Sequence, residues 1–309
     1  MQKIKLHELF SPWDTLKTVR RGSAPAQIEL LVLGCLRYLG RGWAFDDLEE
    51  ATGISAETHR KFLHLFLIWG SSCFFNETVI SYDDKKIHES SVDYNFAGFP
   101  GCVGSGDATH VGLLKCYHKL AQYHNSPKLN MPSRTYNIFV NHRRRILSTT
   151  SGHPGRWNDK SLLLYDTFAI DMRKGKRFGD IKFNLLENTG EGIKSVSYKG
   201  GWTIVDNGYL SWSTTIPPMK LPTTYAEMWF SKWLESMRKD VECTIGILKG
   251  RVRILKTGIS LHGIEACDRL WKTCCAFHNF LLDEDGLEEG WDANRGLLNG
   301  GYHNYEYAH

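Results

Sequence analysis

The sequence lacks the features that mark membrane, secreted and disulfide-bonded proteins. No apolar run approaches the ~20 residues that cross a bilayer. The N-terminal stretch MQKIKLHELFSPWD has neither the apolar core nor the small-residue cleavage site of a signal peptide. The eight cysteines form no CxxC pair, so no disulfide framework is expected. These absences predict a soluble intracellular protein with reduced thiols.

The composition also lacks any strong bias. Of the 309 residues, 42% are hydrophobic and 23% are charged, which is ordinary for a globular protein and excludes wholly disordered and fibrous classes. We find no internal repeat. A chain of this length can bury one large core or two smaller ones.

The charge, by contrast, is strongly partitioned along the chain. Residues 101–282 carry 26 basic against 14 acidic residues (+12), whereas residues 1–100 carry 11 against 13 (−2) and residues 283–309 carry 1 against 7 (−6). Any one basic cluster is explained as well by a solvated surface. Three clusters in one segment (HRRR at 142–145, RKGKR at 173–177, KGRVRILK at 249–256) favour a polyanionic partner, with nucleic acid the first candidate. Charge alone does not choose between DNA, RNA and acidic lipid. The candidate phosphate contacts are Arg143, Arg144, Arg145, Lys249, Arg251 and Arg253.

The first hundred residues have the pattern of helices. Apolar residues recur at helical spacing over 27–40, a short helix is expected at about 46–52 with a turn at Gly53, and Ser55 fits the N-cap of the next helix, 55–69. This order is typical of a helix-turn-helix, with the last helix as the recognition helix, although an ordinary helical hairpin explains it equally well. The candidate DNA-contacting residues are Ser55, Thr58, His59 and Lys61.

From residue 99 onward the sequence pattern changes to short strands and glycine-rich turns. A strand is expected at FPGCVGSGDATHVGLL, and a hairpin whose strands meet near 141–144. A helix capped by Asn158 or Asp159 follows, then a loop or small hairpin at 171–200 and a buried strand ending in Asp206. Two helices are expected at about 223–255 and 264–282.

Three carboxylates stand in apolar surroundings. Asp107 lies within the first strand, Asp206 ends the strand TIVD, and Glu242 lies between apolar residues of a helix. For any one of them a helix cap or a salt bridge is a sufficient explanation, but burying an unpaired charge costs several kcal/mol. Together they could hold two Mg²⁺ or Mn²⁺ ions through oxygen ligands, which suits phosphoryl transfer. A zinc site near Asp107 fits no recurrent ligand spacing.

At these residues the sequence resembles the PIF/Harbinger transposases. GCVGSGDATHV resembles their first catalytic motif, IVDNGY the second, VECTIGILKGRVRIL the third, and CCAFHNFLL their closing Cys…His-Asn element. The interval from Asp206 to Glu242 is typical of DDE transposases. The resemblance covers roughly residues 28–282, and its strength lies in four motifs that occur in order.

The resemblance implies an α/β fold of the ribonuclease H type, a mixed sheet flanked by helices, preceded by an all-α helix-turn-helix region. It implies that Asp107, Asp206 and Glu242 form the catalytic triad that holds two divalent metal ions. Asp159, in GRWND, matches another recurrent acidic position and is the alternative second ligand. His110 and Lys249 contact phosphate, orient the metal site, or are structural.

The expected domains are a helical region at 1–98 with the helix-turn-helix at about 28–70, a catalytic domain at 99–282 and an acidic flexible tail at 283–309. The expected function is two-metal cleavage and strand transfer of double-stranded DNA, both transposon ends and target. The resemblance further implies a nuclear location with a cytoplasmic pool, a separate Myb-like partner that assists import, oligomers on DNA and no membrane association. The alternatives are a domesticated, non-catalytic DNA-binding or adaptor protein that keeps the fold, and a basic lipid- or RNA-binding module.

Overall fold

The computed structural model describes residues 26–80, 84–188, 190 and 192–286, with the backbone alone for 84–88. It is a mixed α/β structure in which helices flank a mixed sheet, as the sequence predicts. The helices, in chain order, are α1 Ile28–Arg41, α2 Phe45–Thr52, α3 Ala56–Trp69, α4 Asp84–Phe96, α5 His118–His124, α6 Asp159–Leu164, α7 Thr167–Arg173, α8 Tyr225–Arg251, α9 Arg253–Thr257 and α10 Ile264–Glu284. The strands are β1 Cys102–Gly112, β2 Asn125–Ser126, β3 Met131–Val140, β4 Ile146–Thr149, β5 His153–Pro154, β6 Lys182–Asn188, β7 Ile193–Lys199, β8 Trp202–Ile204 and β9 Thr215–Ile216.

The turn between α2 and α3 forms where the sequence predicts it. Gly53 ends α2 in the left-handed conformation, with φ of 70°, which costs glycine little. Ser55 is the N-cap of α3, and its side chain accepts a hydrogen bond from the backbone N–H of Thr58. The local sequence therefore determines both ends of this turn.

Helix α3 continues through two π-helical turns, Gly70–Phe74 and Asn76–Ile80. Among the described residues, this one helix, 56–80, has the length and apolar composition of a membrane span. A buried core helix has the same composition, and here Phe66 and Phe74 pack against Phe277 of α10, with ring centroids 5.8 and 4.9 Å apart. Length and composition are thus a weak indication of a span.

The main sheet has the order β2-β3-β1-β8-β9, and β4 and β5 also pair with β3. Strands β1 and β3 are antiparallel, whereas β8 is parallel to both β1 and β9. Successive residues of β3 point to opposite faces: Ile138 joins the core formed with α1, α3, α8 and α10, and Phe139 joins a second core that includes Phe168 of α7. Apolar layers therefore cover both faces of the sheet.

Two peripheral segments refine the sequence expectations. The 171–200 segment contains the hairpin β6–β7, which is largely exposed, with Leu186 and Ile193 about three-quarters exposed. The acidic tail was expected from residue 283, but α10 runs to Glu284, and Asp283 forms an ion pair with Arg145. The rest of the expected tail, 287–309, lies outside the described residues, as do 1–25 of the expected N-terminal region.

Candidate active site

Asp107 lies in β1, and Asp206 lies just after the end of the neighbouring parallel strand β8, at the equivalent register position. Ser105 of β1 pairs with Ile204 of β8, and each aspartate lies two residues beyond that pair. The parallel register therefore brings together two side chains that are almost a hundred positions apart in the sequence. Asp206 lies close enough to Asp107 to raise the pKa of that carboxyl group.

The side chain of Asp159 also lies beside that of Asp206. A Cβ atom added to Gly208 would lie 2.5 Å from Asp159 Oδ2 and 3.0 Å from Asp206 Oδ1, so both carboxylates approach the same glycine. Asp206 is held in this turn because its Oδ1 accepts a hydrogen bond from Gly208 N at 2.8 Å. From the sequence, either Asn158 or Asp159 could be the N-cap of α6. In the structure the N-cap is Asn158, whose Oδ1 accepts a hydrogen bond from Ser161 N at 2.9 Å. Asp159 is therefore not the N-cap residue.

Glu242 lies one helix away, on α8, with its side chain about half exposed. Arg238, one turn earlier on α8, connects it to Asp107. Its Nη2 lies 2.7 Å from Glu242 Oε1, and its Nη1 lies 3.3 Å from Asp107 Oδ2. The structure thus places Asp107, Asp159 and Asp206 close enough to influence one another electrostatically, and joins Glu242 to Asp107 through a guanidinium group.

The electrostatics of this cluster follow from burial and like charge. Burial raises the pKa of Asp107 to about 6; Asp206 and Asp159 add to the rise, whereas the Ala108 N–H and Arg238 oppose it. Burial, and then the charge of Asp206, also raise the pKa of Asp159. A hard divalent cation bound by carboxylate oxygens would relieve this repulsion.

The donor set suits such a cation, although the ligands are not arranged in advance. Across the described part of the chain, no three Asp, Glu, His or Cys side chains already form a group that could hold a metal ion. The aspartates supply the oxygen ligands that Mg²⁺ and Mn²⁺ prefer. The position between Asp107 and Glu242 is taken by Arg238.

A buried polar network supports the site from behind. Tyr209 donates from its hydroxyl to Asn137 Oδ1 at 2.6 Å, and Asn137 Nδ2 donates to Asp166 Oδ2 at 2.6 Å. Asp166 Oδ1 in turn accepts from two backbone N–H groups at the start of α7. Local sequence patterns do not predict this network, although Asp166 directly precedes α7 and is its N-cap.

His110 and Lys249 make internal contacts. His110 Nδ1 lies 3.0 Å from Thr135 Oγ1 and 3.2 Å from Ser126 Oγ, and Lys249 Nζ donates to the His110 carbonyl oxygen at 2.8 Å. Burial, and then nearby Lys128 and Lys249, lower the pKa of His110 to about 4, so the ring is neutral at pH 7. Burial also lowers the pKa of Lys249.

The HRRR cluster is not a freely solvated basic surface. Arg145 is 2% exposed and forms an ion pair with Asp283, and Arg143 Nε donates to Asp93 Oδ2 at 2.8 Å. A phosphate contact by either residue would require one of these ion pairs to break. Arg144, at the hairpin turn with φ of 66°, is half-buried.

The remaining candidate DNA-contacting residues are distributed differently. Arg251 and Arg253 are exposed near the end of α8 and in α9, and Arg251 lies 3.6 Å from Asp285. In the helix-turn-helix candidate, Lys61 is exposed beside Glu57, and the hydroxyls of Ser55 and Thr58 lie 2.8 Å apart.

His59, by contrast, is buried. Its Nε2 lies 2.8 Å from Thr52 Oγ1, and its ring packs so closely on α1 that a Cβ atom at Gly34 would lie 2.7 Å from Nδ1. In this structure His59 packs against α1 and α2 and does not face solvent.

Comparison with known proteins gives consistent matches. The family described as plant transposon protein matches residues 83–289, more than half of the chain. Proteins named "Putative nuclease HARBI1" match from mouse (22% identity, 62% of this chain and 48% of theirs), cattle (22%, 84% and 68%) and human (21%, 63% and 50%). The chain thus spans about half the length of most of these relatives. No solved structure matches.

Proposed function

Because the chain belongs to the plant transposon protein family, we propose that it is a metal-dependent, DNA-cleaving enzyme of the DDE transposase type. The observation that supports this best is the convergence of Asp107, Asp206 and Asp159 beside strands β1 and β8, with Glu242 tied to Asp107 through Arg238. The proposed fold of the catalytic part, residues 99–282, is of the ribonuclease H type. The mixed β3-β1-β8 arrangement and the flanking helices support it.

In this proposal Asp107, Asp206 and Glu242 hold two Mg²⁺ or Mn²⁺ ions, with Asp159 the alternative second ligand. When bound, the ions would activate the attacking oxygen and stabilise the leaving oxygen of a phosphodiester. The chain's own contribution is to position the ligands: the β1–β8 register sets the two aspartates side by side, and the Gly208 N–H holds Asp206. The Tyr209–Asn137–Asp166 network fixes the turn behind them.

The proposed DNA contacts are made by basic or polar side chains that are not buried. Arg251 and Arg253 remain candidates, as do Arg144 and the α2–α3 unit acting as a helix-turn-helix through Ser55, Thr58 and Lys61. The structure adds Lys128, an exposed residue whose charge acts on both Asp159 and His110. The nuclear location, the Myb-like partner, the oligomer on DNA and the division at residues 98 and 282 stand as further parts of the proposal.

The direct test is cleavage of a labelled, supercoiled plasmid that carries the genomic DNA flanking the coding sequence. We expect nicking or end cleavage by the purified chain with Mg²⁺ or Mn²⁺, and none with EDTA. The assay is run with and without a Myb-like protein from the same source. DNA binding without cleavage under all these conditions would favour the non-catalytic adaptor over the enzyme.

Lys128→Ala should weaken DNA binding and make it less dependent on salt. One phosphate contact fewer releases fewer counterions, so the slope of log Kd against log salt concentration should become shallower by about 1. Fluorescence anisotropy over a salt series measures this slope. Lys199→Ala is the matched control, because Lys199 is exposed on the β6–β7 hairpin, 4.0 Å from Asp180. Equal slopes for the two variants would remove Lys128 from the DNA interface.

A further inference from the structure

Arg238 connects two of the proposed metal ligands. Its guanidinium group contacts Glu242 on the same helix at 2.7 Å and Asp107 on strand β1 at 3.3 Å. The following inference rests on the proposed function, because it concerns the same carboxylates.

The arrangement differs from an ordinary ion pair along a helix. On α10, Arg269 lies 3.4 Å from Glu265 at the same spacing of four residues, but both side chains are well exposed. Arg238 is 20% exposed and reaches a second element of the fold. Its Nε is buried and has no hydrogen-bond partner among the described residues. A surface pair formed only for helix stability has no reason to bury an unpaired donor.

Positive charge beside Asp107 lowers the electrostatic cost of this cluster, and Arg238 supplies it. The charges of Asp206 and Asp159 raise the pKa of Asp107, whereas the charge of Arg238 lowers it. A guanidinium group supplies one charge in a flat fork that can contact two carboxylates at once. A divalent ion bound between Asp107 and Glu242 would occupy the space that the guanidinium group now fills, so the two cations compete for one position.

We propose that Arg238 is a positioning residue that holds Asp107 and Glu242 in the metal-free protein, and that a divalent cation must displace its guanidinium group to bind there. Arg238 therefore competes with the metal, and it keeps the two carboxylates placed until the metal arrives. This explains why the proposed ligands converge without forming a ready-made ligand group in the described chain.

The experiment is a calorimetric titration of the full chain, without DNA, with Mn²⁺ alone. Arg238→Gln removes the competing charge, so Mn²⁺ should bind about tenfold more tightly than to the wild type. Arg269→Gln is the matched control, since it removes an arginine from an equivalent pair remote from the carboxylates, and its Mn²⁺ affinity should equal that of the wild type.

A second variant covers the case in which Arg238→Gln does not fold. Arg238→Lys keeps the charge, but a single ammonium cannot bridge both carboxylates as a fork does, so its Mn²⁺ affinity should lie above that of the wild type. Mn²⁺ should also raise the melting temperature of either variant more than that of the wild type. Unchanged or weaker Mn²⁺ binding in the folded variants would overturn the role of Arg238 alone. An absence of Mn²⁺ binding in the wild type and the variants would overturn the proposed metal site as well.

Discussion

Asp107→Asn and Asp206→Asn should each reduce Mg²⁺- or Mn²⁺-dependent DNA cleavage by on the order of 10³-fold or more. Asparagine keeps the shape of aspartate but lacks the negative charge that binds a hard cation. Glu242→Gln should have a similar effect, because it removes the charge on the α8 side of the cluster. The initial rate of plasmid or end cleavage by each purified variant measures the loss.

Binding provides the control for this prediction. The proposed phosphate contacts lie on other residues, so the variants should bind DNA as tightly as the wild type, or more tightly because repulsion of phosphate is relieved. Asp180→Asn is the matched substitution, since Asp180 is fully exposed and contacts only Lys199 among the ion pairs described for the chain. Full cleavage activity in Asp206→Asn would remove that residue from the triad.

Asp159→Asn tests the alternative ligand. The structure removes one expected effect of this change, because Asn158 and not Asp159 caps α6, so no loss of cap stability is expected. If Asp206 is the second ligand, Asp159→Asn should reduce cleavage less than Asp206→Asn does. Its effect is then indirect, because it weakens the repulsion between the Asp159 and Asp206 carboxylates, which approach the same glycine, Gly208. A greater loss in Asp159→Asn than in Asp206→Asn would assign the second ligand to Asp159.

The sequence predicted those parts of the fold that local patterns determine. The β3–β4 hairpin, the Ser55 cap and the long helix with Glu242 all follow from periodicity, turn residues or caps within a few positions of each other. The convergence of Asp107 and Asp206 was predicted from their place on buried strands, and the motif resemblance assigned them a role. The spacing of four residues between Arg238 and Glu242 predicts their ion pair along the helix. It does not predict the contact of Arg238 with Asp107.

What could not be predicted depends on partners distant in the sequence. A count of formal charge treats Arg143 and Arg145 as surface residues, but Asp93 lies 50 positions from Arg143 and Asp283 lies 138 positions from Arg145. The position of His59 depends in the same way on the absence of a side chain at Gly34. The charge pattern of the sequence thus indicates the sign of the partner's charge. It does not show which basic side chains are exposed and available to contact that partner.

The largest loss of stability should come from a residue outside the candidate site. Asp268 of α10 accepts from Arg134 of β3 through both carboxylate oxygens, at 3.1 and 2.7 Å, and from the Tyr136 hydroxyl at 3.0 Å. The Arg134 side chain is 7% exposed, so Asp268→Ala would leave a buried charge without its counter-ion, although Arg134 also donates to the Gly152 carbonyl oxygen. We expect the free energy of unfolding to fall by about 3–5 kcal/mol, measured by urea denaturation.

Glu265→Ala, one turn away on the same helix, is the control. It removes an exposed partner of Arg269 and should cost less than about 1 kcal/mol. A loss of that small size in Asp268→Ala would show that Arg134 reaches solvent or another acceptor. A double variant, Arg134→Leu with Asp268→Leu, should recover part of the stability, because it removes both charges from the interior.

Asp268 contacts none of the carboxylates in the candidate site, so below its melting temperature Asp268→Ala should still cleave DNA. Loss of cleavage in Asp107→Asn at unchanged stability, and loss of stability in Asp268→Ala with cleavage retained, would together separate the residues that act on DNA from those that hold β3 against α10.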